Sequence, residues 1–133
     1  MAKQCPQCGE PLHRFAGASE QIALGTETVT VSDLAGWSCA ACGEALFDDD
    51  SAARYAEAGD ALVLAARVRQ QDEIRRIRKK LNLTQQEASR LVGVGKIAFS
   101  RYERGTTQAP AALVKLLHLI DRHPELLDEL RAA

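Results

Sequence analysis

Two short cysteine pairs constrain this chain more than any other feature: Cys5-Pro-Gln-Cys8-Gly9 and Cys39-Ala-Ala-Cys42-Gly43, a C-x2-C-x30-C-x2-C pattern. Each pair brings two thiols within reach of one ion, and the glycine behind it permits the tight turn that aims both at the same point. Thiolate softness selects zinc, or less often iron, over magnesium or calcium, and a closed set of four leaves no open position for substrate. One structural Zn2+ per chain, held by Cys5, Cys8, Cys39 and Cys42, is therefore expected. A reducing cytosol disfavours two disulfides. A glutaredoxin-type redox reading of Cys5-Pro-Gln-Cys8 needs a strand-to-helix context and leaves the second pair without a role.

The insert between the pairs is longer than the usual loop of about 15 to 20 residues, and it alternates. Ile22 and Leu24, then Val29 and Val31, flank Gly25-Thr26, with Trp37 just before Cys39. A period of two predicts a small antiparallel sheet whose apolar face, Trp37 included, covers the metal site while Glu27, Thr28 and Thr30 face water. Trp37 reads as core rather than as a binding residue. Asp48, Asp49, Asp50 and Ser51 offer caps for a helix through Ala58, with Gly59 as its C′ residue. The same acidic run could also dock a basic partner.

A net charge of −1 hides a division. Residues 1–68 carry four Lys/Arg against ten Asp/Glu, a balance of −6, so residues 69–133 hold +5. An acidic half repels DNA and suits a protein partner, whereas a basic half favours a polyanion. With 133 residues there is room for one ordinary domain or two small ones, and a large enzyme fold is excluded. No apolar run reaches the roughly 18 to 20 residues that span a bilayer, and Met1-Ala-Lys-Gln-Cys5 is no signal peptide, so a cytoplasmic protein without membrane contact is expected.

From Asp60 to Leu81 the pattern is helical, with Arg67, Arg69, Arg75, Arg76, Arg78, Lys79 and Lys80 forming a basic surface. A domain boundary falls near residues 59–70, and a continuous helix and one with a loosened middle fit equally. Thr84-Gln-Gln-Glu87 is a capping box that starts a helix ending at Gly93. After Val94-Gly95, Lys96 to Arg104 forms a second helix closed by Gly105. Ala88, Leu91, Val94, Tyr102 and either Ile97 or Ala98 supply the tight contacts of a helix-turn-helix. In that motif the second helix enters the major groove, which makes Lys96, Ile97, Ser100 and Arg101 the candidate base readers. Arg101 is the sharpest, since a guanidinium can bond guanine O6 and N7 together, and its alternative is a salt bridge to Glu87 or Glu103. Thr84, Gln85, Lys79 and Arg104 are expected at phosphates. Phe99 and Tyr102 read as core rather than stacking platforms.

Pro110 opens a helix with an apolar stripe at Leu113, Leu116, Leu117 and Ile120, and His123-Pro124 precedes a last one with Leu126, Leu127 and Leu130. This is more leucine than about 65 residues need, which points to a homodimer through the last helices and a two-fold operator. The predicted fold is α+β: a small zinc-ribbon-like β domain, residues 1–66, then an all-α five-helix helix-turn-helix domain, residues 67–133. His13, His118 and His123 read as surface or capping residues. No nucleophile and base set is present, and His123-Pro-Glu125 has the wrong order for a zinc deaminase, so no enzyme is expected.

Leu83-Thr-Gln-Gln-Glu-Ala-Ser89, Ala98-Phe-Ser-Arg-Tyr-Glu103, Lys115-Leu-Leu117 and His123-Pro-Glu-Leu-Leu127, joined to a four-cysteine N-terminal half, closely resemble the MqsA antitoxins. The resemblance covers most of the chain, most specifically its C-terminal half; the N-terminal half matches mainly in its cysteines. It implies a zinc-binding N-terminal domain that grips a ribonuclease toxin, MqsR, and an Xre-type helix-turn-helix domain that dimerises on double-stranded operator DNA and represses its own operon. The family's zinc cysteines map onto Cys5, Cys8, Cys39 and Cys42, and its base-reading arginine onto Arg101. Where the family pattern has Asn shortly before Ala-Phe-Ser-Arg, this chain has Ile97. Asn can bond adenine twice, while Ile offers only apolar contact, for example to a thymine methyl, so the operator sequence does not carry over. A zinc-ribbon transcriptional regulator without a toxin would have the same motifs. A small toxin-sized reading frame beside the gene distinguishes the two.

Overall fold

A computed structural model describes residues 3–133 and shows an α+β fold in two compact units, up to Leu64 and from Ala65 to Ala133. The first unit contains strands β1 (His13–Leu24), β2 (Glu27–Ser38) and β3 (Ala45–Phe47), an antiparallel sheet in the order β1-β2-β3. Helix α1 (Asp49–Lys80) begins in this unit and ends in the second.

The alternating segments do form a hairpin. Its turn is the two-residue loop Gly25-Thr26, with Gly25 at φ +63°, the backbone that a first central position in a II′-type turn requires. Two irregularities interrupt the ladder. Phe15 faces Gly36, Ala18 faces Leu34 and Glu20 faces Val31, so β1 gains one residue around Gly17 and β2 gains one around Asp33. Both residues sit at positive φ, 68° and 56°. The start of α1 holds the second bulge: Arg54 donates to the carbonyls of Ser32 and Asp33, and the buried Ser51 hydroxyl accepts from the Ala35 N–H at 2.9 Å. Phe47 joins the layers, 6.1 Å from Phe15 and 5.4 Å from Tyr55 between ring centroids.

The expected apolar cover of the cysteines is corrected in part. Only Trp37, with Leu46, packs against the cluster of Cys5, Leu12 and Cys39. Ile22, Leu24 and Val29 pair near the hairpin tip, and at about 3.3 Å per residue a strand carries them well away from the thiols. Ile22 lies instead near Gly59, and Leu24 is 40% exposed. A second correction concerns Gly59, which lies inside α1 and ends nothing. Without a following proline, a single helical glycine costs only about 1 kcal/mol, less than its alanine-rich neighbours and the contacts of α1 return.

In the second unit, α2 (Gln85–Val92), α3 (Ala98–Arg104), α4 (Ala111–Arg122) and α5 (Leu126–Ala132) gather on the last turns of α1. Ile74, Ile77, Leu83, Ala88, Phe99, Tyr102, Ala109, Leu113 and Leu117 form its core. The capping box at α2 is complete: Thr84 Oγ1 accepts from the Glu87 N–H at 3.1 Å, and the Thr84 N–H donates to Glu87 Oε2. Gly93 and Gly105 close α2 and α3, each at φ +77°. The second helix of the pair starts two residues later than expected. The Ala98 N–H bonds the Gly95 carbonyl and Ile97 is the N-cap, so Lys96 and Ile97 belong to the turn. Of the two residues considered for the inner contact, Ala98 packs and Ile97 is exposed.

Candidate metal centre and nucleic-acid interface

The two cysteine knuckles are near copies. The Cys5 N–H donates to the Glu10 carbonyl and the Gly9 N–H to the Cys5 carbonyl; Cys39 bonds Glu44 and Gly43 bonds Cys39 in the same way, all at 2.8 to 2.9 Å. Gly9 and Gly43 lie at φ +79° and +80°. All four Sγ atoms fall within 4.8 Å of one another, with Cys5 to Cys42 at 3.6 Å and Cys8 to Cys39 at 3.5 Å. A tetrahedral site with sulfur at about 2.3 Å from the metal has sulfur–sulfur edges of about 3.8 Å, and the Cys5 to Cys42 and Cys8 to Cys39 separations are close to that, so the four residues fit such an ion.

The thiols also compete for protons. The Cys42 backbone N–H, helped by that of Ala41 and by the Cys8 and Cys42 thiols, outweighs desolvation and lowers the Cys39 thiol to about 7. At Cys8 the Glu10 backbone N–H acts downward, but the Cys39 thiol, lost hydration and the Cys42 and Cys5 thiols together push it up to about 12. A divalent cation ends this competition by stabilising every thiolate at once. Cys5 and Cys39 are buried, while Cys8 and Cys42 reach the surface.

In the second unit one buried acid organises the basic residues. Glu103 points inward, its side chain fully buried, and receives Arg78 through Nη2 on Oε1 at 2.8 Å and Nε on Oε2 at 3.0 Å. Arg75 adds a 3.4 Å contact, and Arg78 also donates to the Leu83 carbonyl. The Gln85 amide, expected at a phosphate, uses one of its N–H groups on Glu103 Oε2 at 3.3 Å. Glu103 is the sole acid between Ala88 and Ala109. With its charge taken inside, the outer surface of this segment presents Arg90, Lys96, Arg101 and Arg104 without an opposing acid.

Arg101 is exposed and has no ion pair among the described residues, so neither proposed salt bridge forms. Lys96 and Lys79 are exposed. Thr84 is exposed beside its cap, and Ser100 is half-buried with its carbonyl accepting from Arg104 Nε at 3.3 Å. Ser89, 0% exposed, ties α2 to α3: its hydroxyl accepts from the Phe99 N–H at 3.3 Å. Sequence reasoning assigned no role to Ser89 or Arg90, and it placed Arg78 on the basic surface, whereas the Arg78 side chain is only 12% exposed and turned to Glu103. Arg90 lines a hollow of about 370 Å³ with Gln86, Val94 and Lys96, and its place in the last turn of α2, next to the turn residues, was the available signal.

Comparison with known proteins identifies a family. Residues 2–131 match the family described as the antitoxin component of bacterial toxin-antitoxin system, MqsA. The chain is also similar to the antitoxin MqsA of Escherichia coli (strain K12), 55% identical over 56 residues, which are 42% of this chain and 43% of that relative. The aligned stretch thus covers less than half of the relative's length. With a family match over nearly its whole length and a four-thiol cluster in place, the chain belongs to the MqsA antitoxin family.

Proposed function

We propose that this antitoxin works through two divided units: residues 1–66 hold one structural zinc ion and neutralise a ribonuclease toxin of the MqsR kind, and residues 67–133 bind operator DNA as a homodimer and repress the chain's own operon. The single observation that carries the DNA half is the inward turn of Glu103. It leaves Arg90, Lys96, Arg101 and Arg104 as an unopposed cationic surface on and beside a helix-turn-helix. Arg101 then reads guanine, and Lys79, Thr84, Gln85 and Arg104 meet phosphates with Arg90 added to them. Ser100 and Lys96 flank Arg101. Zinc is favoured over iron because the site is a closed thiolate tetrahedron with no redox duty assigned to it. No enzymatic step is part of this role.

The acidic balance of residues 1–68 supports the toxin assignment, since the unit carries no groove-reading helix and would repel a polyanion. Exposed Leu119 on α4, with the three half-buried leucines of α5, is the apolar surface available for a dimer contact. The test is a selection of duplexes by the full chain from a randomised pool. It is paired with co-expression of the adjoining reading frame and hydrogen exchange on any complex recovered. Enrichment of a two-fold symmetric duplex, with toxin protection confined to the first unit, is the expected result. No enrichment removes the operator reading; protection wholly within residues 70–133 overturns the division of labour.

A further inference from the structure

Ile97 is the one large aliphatic side chain left exposed, at 54%, between Leu83 and Ala109 among the described residues. Its surroundings are cationic. The Arg101 N–H bonds the Ile97 carbonyl at 3.1 Å, so Arg101 stands one turn further along, and Ile97, Ser100, Arg101 and Arg104 follow the spacing of one helix face. The opposite face of α3, Phe99, Tyr102 and Glu103, is buried. The outward row is thus a line of cations with a single apolar point at its start.

That combination discriminates among occupants. An apolar protein surface pressed on this row would strip water from Lys96 and Arg101 and return no partner for either charge. Duplex DNA supplies phosphates and guanine acceptors for the cations, and in the major groove the apolar group it displays is the C5-methyl of thymine. Four residues of helix advance about 6 Å, close to two base steps of about 3.4 Å each. We infer that Ile97 reads the C5-methyl group of a thymine lying within about two base steps of the guanine bonded by Arg101. The inference rests on the operator-binding reading above and assigns it a specificity-determining residue.

The experiment uses the full chain and the duplex it selects from a randomised pool. Each thymine is replaced in turn by deoxyuridine, which removes the methyl and nothing else. Parent chain should lose about fourfold in affinity at one thymine per half-site, the worth of one buried methyl-sized group, and that position should lie within two steps of the base pair whose identity ceases to matter in Arg101→Ala. Ile97→Ala should bind thymine and deoxyuridine duplexes equally, and Ile97→Val should keep part of the difference. A melting curve for each variant separates lost contact from lost fold. An enriched duplex in which no thymine methyl matters, or matters equally in Ile97→Ala, overturns the inference while the operator reading stands. A pool that yields no enriched duplex overturns both.

Discussion

Arg78 grips both carboxylate oxygens of Glu103 across 25 residues of sequence, and the pair stands at the base of α3 with the Arg78 side chain only 12% exposed. Removing one partner strands the other charge in a place water hardly reaches. Glu103→Ala should therefore cost the helical unit about 3 to 5 kcal/mol in urea unfolding. Because Arg78→Ala removes the same interaction, the double variant should fall well short of the sum of the two single losses. Additive losses would mean the two side chains act independently.

Two glycines should respond to alanine with opposite signs. At Gly36 an added Cβ would sit 2.1 Å from the Leu46 carbonyl oxygen and 2.8 Å from Phe47 Cα, both backbone atoms that can yield only by parting β2 from β3. Gly36→Ala should destabilise the first unit by about 1 to 3 kcal/mol. At Gly59 the added methyl meets only Ile22 Cδ1, at 3.8 Å, inside a helix. Gly59→Ala should stabilise by about 0.5 to 1 kcal/mol. Thermal melts of the two variants side by side check both signs.

Metal analysis should return one zinc per chain. Chelation should unfold the first unit and spare the second, since formation of a thiolate site is coupled to the folding of the knuckles while the core around Phe99 includes no cysteine. The readout is circular dichroism before and after a strong chelator, with helical signal retained. An intact first unit after full removal of metal would contradict it.

Acid should loosen the junction of α1 and α4. Arg76, and after it Lys80, hold the Asp121 carboxyl well below the usual carboxylate range, and Asp121 Oδ2 lies 2.9 Å from Arg76 Nη2. A depressed folded-state value means that the stabilisation is present above the unfolded value of about 3.9 and is lost as pH falls from there through the folded one. Asp121→Asn should lower stability at pH 7 and flatten its decline below about pH 4, read as urea midpoints at a series of pH values.

On the selected duplex, Arg101→Ala should weaken specific binding by about 1 to 3 kcal/mol, whereas Lys79→Ala should weaken all sequences alike and reduce the salt slope by about one. Anisotropy titrations at several salt concentrations distinguish the two. Unchanged specific binding by Arg101→Ala would take α3 out of the groove.

What could be read in the sequence was local. Thr84 with Glu87, Gly93, Gly105 and the two knuckle glycines announce their conformations within four residues, and each lies where spacing put it. The features that escaped are long-range. The bulge at Asp33 depends on Arg54 and Ser51, some twenty residues away, and the inward turn of Glu103 depends on Arg78. Gly59 shows the converse error, a strong local stop signal that tertiary contacts and helix-forming neighbours overrode. Leu24 failed differently: its alternation was right, but period says nothing about distance from the thiols.

The paired bulges give the hairpin an arithmetic of length. One surplus residue near Gly17 is cancelled by one near Asp33, so the strands leave the knuckles and reach the tip in the same phase. Deleting Gly17 alone would close the first bulge and leave Phe15 opposite Gly36, Ala18 opposite Leu34 and Ile22 opposite Val29, because the surplus residue carries no pairing of its own. Deleting Gly17 together with Asp33 would remove both bulges and keep the same partners on a straighter ladder. The hairpin should therefore accept the loss of one residue at either bulge with its pairings intact, whereas loss of Ala23 from the regular ladder would set Ile22 opposite Thr28 in place of Val29.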